Sequence, residues 1–181
     1  MLAMTAGLAL SINAATAETT SKANWTSSQQ SQRPDPRFKM KEVNYRTGES
    51  PGTIIIETDK KYLYLVLGSG RALRYGVGVG REGFSWQGEE HVSRKAEWPN
   101  WHPPKEMRAR EPELPDYVEG GPGNPLGARA LYLGNTEYRI HGTLYPATIG
   151  HSVSSGCIRL TNDDVIDLYG RVKIGAKVIV N

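Results

Sequence analysis

The chain has 181 residues, of which 38% are hydrophobic and 23% are charged. These proportions are typical of one globular domain and exclude a fibrous or wholly disordered chain. The 22 Lys and Arg residues against 19 Asp and Glu residues give a net charge of +3, and because the basic residues are scattered rather than clustered, nucleic acid is excluded as a partner.

The first 17 residues predict a secretory signal peptide. They contain no charged side chain, are mostly apolar over residues 2–12 and end in Ala, Thr and Ala, a small-residue cleavage pattern. The usual basic residue at the start is missing, and a short buried apolar helix is the alternative. About a dozen apolar residues are too few for a spanning helix, which needs roughly 20. We therefore expect an exported chain that starts near Glu18, with a flexible polar tether over residues 18–50.

A run of strands is predicted to open the domain. Residues 53–58, 61–67 and 72–79 are rich in Ile, Val, Leu and Tyr and are separated by short turns, which predicts a β-meander. Large side chains alternate to both faces of residues 61–67, so we expect a sheet covered on both sides. Glycines in residues 78–83 have the spacing of a dinucleotide-binding loop, but no helical periodicity follows, which favours bulges and tight turns in an antiparallel sheet.

A long segment rich in proline, glycine and charge spans residues 98–127. Compact domains seldom carry such a connection unless it is a lid or a binding loop. Trp98 and Trp101 are candidates for lining a groove that binds a sugar or a peptide, with packing beneath the loop as the alternative. Residues 106–110 are expected to form a short helix.

The C-terminal part predicts a hairpin, a helix and a final strand. Residues 130–133 and 137–141 have the pattern of two short strands joined by a tight turn. Thr161 begins a capping box that opens an amphipathic helix, which we expect to end at Gly170. Residues 177–180 predict the last strand.

The only cysteine of the chain, Cys157, lies in a pattern typical of a thiol nucleophile. In an exported protein a lone cysteine has no intramolecular partner, which marks it as reactive. Because a free thiol titrates at about 8.5, a nucleophilic cysteine needs a base, and His141, 16 positions upstream, is the candidate. Gly156 lets backbone N–H groups of the turn, including that of Cys157, form an oxyanion hole, and Arg159 is suited to a substrate carboxylate.

A zinc site built from His141, His151 and Cys157 is a competing interpretation. Structural sites use four ligands at short spacings and catalytic sites use three, typically with an acidic or histidine partner. The spacing in this chain matches neither pattern, so we expect no metal. Asp163 and Asp164 are interpreted as charges at a helix start rather than as paired catalytic carboxylates.

The same residues resemble the signature of the L,D-transpeptidase catalytic domain. The resemblance is carried by residues 141–143 (His-Gly-Thr), 149–150 (Ile-Gly) and 154–160 (Ser-Ser-Gly-Cys-Ile-Arg-Leu), with Asn162 and Asp164. It extends to four further stretches, at residues 62–64, 76–78, 97–101 and 124–127. It implies a mainly β fold, with a β-sandwich-like mixed sheet and one or two short helices, and a catalytic domain over residues 51–181.

The resemblance implies a periplasmic or cell-envelope enzyme that acts on peptidoglycan stem peptides. Cys157 would attack the carbonyl of the third residue, a diaminopimelate in most bacteria with this signature, and expel the terminal D-alanine. The thioester would pass to an amine of a second diaminopimelate or of an outer-membrane protein or lipoprotein. His141 would activate the thiol and protonate the leaving amine, Arg159 would hold a carboxylate or order the turn, and the backbone of Gly156 and Cys157 would bind the oxyanion.

The resemblance implies neither a metal nor an organic cofactor, and it implies that carbapenems acylate the thiol. Ser155 departs from the family pattern, since many members carry histidine there, so Ser154, Ser155 or a backbone carbonyl remains open as the group that orients the imidazole of His141. Ser154, Ser155 and Thr143 are also candidates for binding substrate. Hydrolysis of the same thioester and a catalytically idle wall-binding module remain as alternatives, and a monomer is the default.

Overall fold

The computed structural model describes residues 33–181. In chain order the strands are β1 (Lys41–Asn44), β2 (Ile54–Glu57), β3 (Tyr62–Gly68), β4 (Arg71–Gly76), β5 (Val79–Gly80), β6 (Gly88–Glu97), β7 (Arg129–Leu133), β8 (Arg139–His141), β9 (Ser152–Ser154), β10 (Ile158–Arg159) and β11 (Lys177–Val180). The α-helices are α1 (Lys105–Arg110) and α2 (Asn162–Arg171), and short 3₁₀ helices lie at Pro36–Phe38 and Pro146–Thr148.

These elements form a mixed sheet and a small satellite sheet. The large sheet has nine strands in the order β1-β4-β3-β2-β11-β6-β7-β8-β10, and β5 pairs with β9 in the second sheet. The predicted class, mainly β with a mixed sheet and short helices, is confirmed. No helix within residues 33–181 has the length and apolar character needed to cross a membrane.

The predicted β-meander is confirmed over residues 54–76. Strand β3 pairs antiparallel with both β2 and β4. Leu63 and Leu65 belong to the main core, whereas Tyr64 and Val66 belong to a second apolar cluster. Because side chains alternate along a strand, the sheet is covered on both sides at this point, as the sequence predicts.

The predicted flexible tether of residues 18–50 is wrong for its C-terminal part. Strand β1 pairs antiparallel with β4, and the Phe38 ring packs against Tyr62 with centroids 5.4 Å apart and is only 6% exposed. Burial of this aromatic side chain offsets the entropy lost when a polar segment becomes ordered. The predicted signal peptide of residues 1–17, and the tether up to residue 32, lie outside the described residues.

Strand β6 is not predicted from the sequence, although it occupies the middle of the large sheet. Of its ten residues only Val92 is fully buried, and most of the others are polar or charged. The alternation that marks a half-buried strand is therefore missing. Pairing with β11 on one side and β7 on the other connects the meander to the strands that carry the predicted site.

The glycine run of residues 78–83 forms no dinucleotide-binding turn, because residues 81–87 contain a turn and irregular backbone rather than the start of a helix. Strand β5 pairs with β9, with a register shift between Val79 and Gly80. A Cβ atom on Gly80 would lie 2.5 Å from the carbonyl oxygen of Phe84, so glycine permits this close approach of the backbone. The bulge predicted for this glycine run is confirmed by the register shift. The sheet type is not, because β5 and β9 pair in parallel, whereas an antiparallel sheet was predicted.

Helix α2 begins directly after strand β10 and closes the main core. The Thr161 Oγ1 atom accepts the N–H of Asp164 at 3.1 Å, which confirms the predicted cap. Val165 and Leu168 are buried on the inner side of the helix. The helix ends at Arg171, one residue beyond the predicted end.

Candidate active site

The last two strands of the large sheet bring the predicted catalytic side chains onto one face. Strands β8 and β10 run parallel, with Ile158 opposite Ile140 and Arg159 opposite His141. Ile140 and Ile158 lie in the main core. Because side chains alternate, His141 and Arg159 point away from that core, and Cys157, two residues before Arg159, lies on their side.

His141, Cys157 and Arg159 line one cleft, which has a volume of about 390 Å³. Part of its wall comes from the long segment of residues 98–127 and from helix α1 within it, so the predicted loop borders the cleft, and its role in binding remains a prediction. The contributing side chains of that segment are Trp101, Pro104, Glu106, Met107, Arg110, Pro125 and Leu126. The thiol therefore lies in an open cleft whose volume is in the range of small-ligand sites.

The backbone orients the imidazole of His141. Its Nδ1 atom lies 2.5 Å from the carbonyl oxygen of Gly142. Because a carbonyl oxygen only accepts hydrogen bonds, Nδ1 carries the hydrogen in the neutral ring, and the ring's lone pair lies on Nε2. Of the orienting groups that the sequence left open, the structure selects a backbone carbonyl rather than Ser154 or Ser155.

The surroundings keep the imidazole of His141 uncharged. Burial, and after it the positive charge of Arg159, lowers the pKa of His141 to about 3, while contacts with the backbone of Gly142 and Leu126 act in the opposite direction. The ring is therefore neutral at pH 7, which is the protonation state that a general base requires.

Arg159 is held inside the cleft next to the thiol. Its backbone N–H donates to the Gly78 carbonyl at 2.8 Å, and its carbonyl accepts the Gly78 N–H at 2.9 Å. Burial lowers the pKa of the Arg159 guanidinium from its ordinary value, whereas the nearby Cys157 raises it. The second effect shows that the guanidinium lies close enough to Cys157 for their charges to interact.

The turn before Cys157 depends on Gly156 and Ser154. Gly156 has φ +105°, and a Cβ atom there would lie 2.5 Å from the ring of Tyr138, so only glycine fits. The Gly156 N–H donates to Ser154 Oγ at 3.2 Å, and the Ser154 hydroxyl donates to the Cys157 carbonyl at 2.6 Å. The Gly156 N–H is thus engaged and does not point freely into the cleft, which corrects its predicted part in an oxyanion hole.

An aromatic pair that the sequence does not reveal supports the same turn. Trp86 and Tyr138 stack with ring centroids 4.6 Å apart and an angle of 5° between the planes. The Trp86 indole N–H donates to the Gly156 carbonyl at 3.0 Å. Trp86 lies in an irregular, glycine-flanked segment, where no local pattern indicates what the side chain will contact.

Of the predicted substrate-binding residues, Ser155 and Trp101 line the cleft. Trp98 is exposed and lines the neighbouring groove instead. Thr143 is buried away from the cleft, where its Oγ1 accepts the Tyr145 N–H at 3.0 Å. Ser154 borders the cleft but is 1% exposed, with its hydroxyl used in the turn. For Thr143 and Ser154 the expected substrate contact is therefore replaced by a role in ordering the backbone.

Arg110 and Arg139 also line the cleft. They lie on helix α1 and strand β8, far apart in the sequence, and neither belongs to a motif that would have identified it. Across residues 33–181 no three side chains of His, Cys, Asp or Glu converge as a metal site.

Residues 51–180, which contain the cleft, are similar to a known protein family. A family model described as the L,D-transpeptidase catalytic domain, YkuD, matches residues 51–180. The probable L,D-transpeptidase YbiS of Escherichia coli is 36% identical over 135 residues, which cover 70% of this chain and 43% of YbiS. The chain therefore spans less than half the length of this curated relative.

Two solved structures extend the comparison. A probable carnitine operon oxidoreductase from Brucella melitensis is 49% identical with a TM-score of 0.54, covering 81% of this chain and 96% of that chain. L,D-transpeptidase 3 from Mycobacterium tuberculosis, in complex with a faropenem-derived adduct, is 16% identical with a TM-score of 0.54, covering 71% of this chain and 59% of that chain. The second likeness concerns the fold alone. Since the family model spans every residue that lines the cleft, the chain belongs to the L,D-transpeptidase catalytic domain family.

Proposed function

We propose that this chain is a peptidoglycan L,D-transpeptidase in which Cys157 is the nucleophile. One observation carries the proposal: strands β8 and β10 pair His141 with Arg159, Cys157 directly precedes β10, and all three side chains line one cleft. This arrangement supplies a nucleophile, a base and a positive charge, which are the groups that acyl transfer through a thioester requires.

The first step is ionisation of the thiol. The neutral His141 ring accepts the Cys157 proton at Nε2, because Nδ1 is held by the Gly142 carbonyl. Arg159 lines the same cleft, which brings its positive charge close to the sulfur. The same charge disfavours the imidazolium, so His141 is driven to give its proton away again in the next step.

In the second step the thiolate attacks the carbonyl carbon of the third residue of a tetrapeptide stem. The Cys157 N–H is the backbone donor that we assign to the oxyanion, since the Gly156 N–H is bonded to Ser154. The imidazolium of His141 protonates the amine of D-alanine as the C–N bond breaks. D-alanine leaves and the acyl group remains on Cys157 as a thioester.

In the third step an amine takes the acyl group. The acceptor is the side-chain amine of a second diaminopimelate or the lysine of an envelope protein, and His141 removes the proton from the attacking nitrogen. As the new C–N bond forms, the C–S bond of the thioester breaks, and the Cys157 sulfur leaves and recovers a proton from His141. Water in place of the amine would make the chain an L,D-carboxypeptidase or endopeptidase. The oxidoreductase named for the Brucella melitensis structure gains no support from this chain, because residues 78–83 do not open a helix.

The substrate also implies a location. Peptidoglycan lies outside the cytoplasmic membrane, so we place the chain in the periplasm or cell envelope, exported by a signal peptide over residues 1–17. We assign the catalytic domain to residues 51–181, with β1 and Phe38 packed onto it from the preceding segment.

The decisive experiment incubates the purified chain with a disaccharide-tetrapeptide and identifies the products by mass spectrometry. A cross-linked dimer with released D-alanine is expected. The tripeptide alone would indicate hydrolysis, and unchanged substrate would indicate a wall-binding module without catalysis. The Cys157→Ala variant is the control and should leave the substrate intact.

A further inference from the structure

The neighbouring groove, which Trp98 lines, adjoins the catalytic cleft and takes no part in the proposed reaction steps. Its volume is about 450 Å³, which is in the range of ligand sites. Its aromatic side chains are Trp98, Trp101, His102 and Tyr132, and its polar ones include Glu97 and Asn100. The described residues that line it include no Leu, Ile, Val or Met. The groove therefore offers flat rings and hydrogen-bonding groups rather than pockets for aliphatic side chains.

Two indoles of this groove lack the contacts that usually engage a tryptophan. Trp98 is 41% exposed. Among residues 33–181, neither Trp98 nor Trp101 stacks on another aromatic ring or lies beneath a cationic side chain. Neither indole N–H donates to a protein acceptor in that range, whereas the Trp86 indole donates and is also stacked. The rings and N–H groups of Trp98 and Trp101 are therefore available to a ligand.

The backbone holds Trp98 in an unusual conformation. Its φ is +40°, in the left-handed region that a bulky side chain rarely adopts. The Trp98 N–H donates to the Ala128 carbonyl at 2.8 Å. A Cβ atom on Gly120 would lie 1.9 Å from the Trp98 carbonyl oxygen, and the Gly120 N–H donates to Asn100 Oδ1 at 2.8 Å. These contacts fix a strained residue in place, which lowers the entropy that its side chain loses when a ligand binds.

Trp101 connects the groove to the catalytic cleft. Its backbone exchanges two hydrogen bonds with Val118, at 2.9 and 2.8 Å. Trp101 and Arg139 line both the groove and the cleft. Arg139 donates to the Glu137 carbonyl at 2.8 Å, and the same carbonyl lies 3.8 Å from the Cys157 Sγ atom. The wall that the two cavities share therefore lies beside the thiol.

We propose that the neighbouring groove binds the glycan strand of peptidoglycan, with Trp98 as the platform on which a sugar ring stacks. The inference rests on the proposed function and extends its substrate beyond the stem peptide. The stem is joined to its sugar at the first residue, and three extended residues reach roughly 10 Å. With the third carbonyl at Cys157, the sugar lies outside the cleft, on the side where the groove continues. Its C–H face packs on an indole, and its hydroxyls bond to polar groups such as those of Asn100 and Glu97.

A peptide is the competing occupant, and the lining of the groove disfavours it. A bound peptide places its side chains in pockets, but the non-aromatic apolar side chains that line the groove are Ala96 and Pro99. The guanidinium carbons of Arg94 and Arg139 lie 3.6 and 5.3 Å from the Tyr132 ring centroid. The tyrosine ring is thus engaged within the protein, and the two indoles are the aromatic surfaces that a ligand meets.

The first test compares D-alanine release from two donors that carry the same tetrapeptide, one with its disaccharide and one without. The disaccharide donor is expected to have a kcat/KM about 2- to 10-fold higher, the factor that one aromatic contact supplies. The difference should appear in KM, because the sugar takes no part in bond making or breaking. Titration of the active site with meropenem, which carries no sugar, corrects each preparation for its content of active enzyme.

The diagnostic quantity is the ratio between the two donors. Trp98→Ala should bring the ratio close to one, whereas Trp98→Phe, which keeps a flat ring, should retain most of it. Ile174→Ala changes a residue that is 65% exposed and lines neither cavity, and it is the matched control. A ratio of one in the unaltered chain, or an undiminished ratio in Trp98→Ala, would overturn the inference. An equal loss on both donors in Trp98→Ala would assign the groove to the peptide and exclude the glycan.

The second test requires neither catalysis nor a folded Trp98→Ala variant. Peptide-free glycan strands, from which an amidase has removed the stems, are titrated into Cys157→Ala while the indole N–H signals are followed by NMR. The Trp98 signal, assigned by its loss in Trp98→Phe, should shift, whereas the Trp86 signal should not. A shifting Trp98 signal without D-alanine release from either donor would refute the proposed reaction and support glycan binding. Release from both donors with an unmoved Trp98 signal would support the reaction and refute glycan binding.

Discussion

Arg159 lies directly opposite His141 in the parallel pairing of strands β10 and β8. Burial lowers the pKa of His141, and the positive charge of Arg159 lowers it further, so the imidazole rests in its neutral form. The Arg159 guanidinium also lines the cleft that contains the Cys157 thiol. One buried guanidinium thus keeps the candidate base neutral and brings a positive charge close to the thiol.

Cys157 is expected to be the site of acylation by a carbapenem. The side chain is partly exposed and lines the cleft, so a β-lactam carbonyl has access to it. Incubation with meropenem should add the mass of one inhibitor to the intact chain, and the adduct should be absent from Cys157→Ala. An adduct that survives this substitution would rule out Cys157 as the nucleophile.

His141→Ala is expected to slow acylation by roughly 10² to 10⁴, the usual contribution of a general base. The reason is that the neutral ring has its lone pair on Nε2, the nitrogen to which the proposed mechanism assigns the thiol proton. Stopped-flow measurement of the acylation rate with meropenem gives the comparison. His91→Ala, which changes an exposed histidine on β6, should leave the rate unaltered. Full transfer activity in His141→Ala would show that another group is the base.

Stability is expected to fall as the pH is lowered from about 6.5, because of His141. Its pKa is about 3 in the folded chain and near the ordinary value of 6.5 after unfolding, so between these values the unfolded chain binds more protons. The free energy of unfolding therefore rises with pH in this window, by up to about 1.4 kcal/mol per pH unit, and no further above pH 6.5.

Urea unfolding of the chain and of His141→Gln at pH 7 and pH 5 isolates this contribution, since carboxyl groups affect both proteins alike. The chain with His141 should lose about 2 kcal/mol more than the variant over this interval. Parallel pH dependence in the two proteins would show that the imidazole is not held neutral by the fold.

Gly156→Ala is expected to destabilise the fold and abolish acylation. Alanine would be placed at φ +105° with its Cβ against the Tyr138 ring, and the turn that carries Cys157 would have to move. Gly52→Ala is a matched control, because Gly52 has φ +91° with no atom within 4 Å of the added Cβ.

The control should show the cost of backbone strain alone, about 1 to 3 kcal/mol, with acylation retained. Gly156→Ala should therefore unfold at a lower temperature than Gly52→Ala, and only Gly156→Ala should lose acylation by meropenem. Equal behaviour would mean that the contact with Tyr138 is unimportant for the turn.

Phe38→Ala is expected to cost about 3 to 5 kcal/mol of unfolding free energy, the range for truncating a buried aromatic ring. Phe38 lies in the segment that the sequence assigns to a tether, yet it is 6% exposed against the domain. Phe84→Ala, at a partly exposed ring, should cost less. Denaturant titration of the two variants decides whether residues 33–50 contribute to the fold.

Much of the fold follows from local patterns. Three predicted features are each encoded within a few neighbouring residues, and all three are confirmed. They are the apolar strands β2 to β4, the two strands on either side of the turn before Tyr138, and the helix cap at Thr161. The resemblance that identifies the family is likewise local, concentrated around Cys157 and His141. These features can be predicted from the sequence because backbone propensity, capping and hydrophobic periodicity act over short distances along the chain.

Other features depend on residues that meet only after folding. Strand β6 is polar and becomes a strand because β7 and β11 satisfy its backbone hydrogen bonds on both sides. The Gly156 N–H is taken by Ser154, and Arg110 converges with Arg139 on the thiol from separate elements. The sequence by itself thus determined the family and identified Cys157 and His141 as the candidate nucleophile and the candidate base, because short motifs carry them. Tertiary structure decided which backbone donors remain free and which charges surround the thiol, because both depend on long-range contacts and burial.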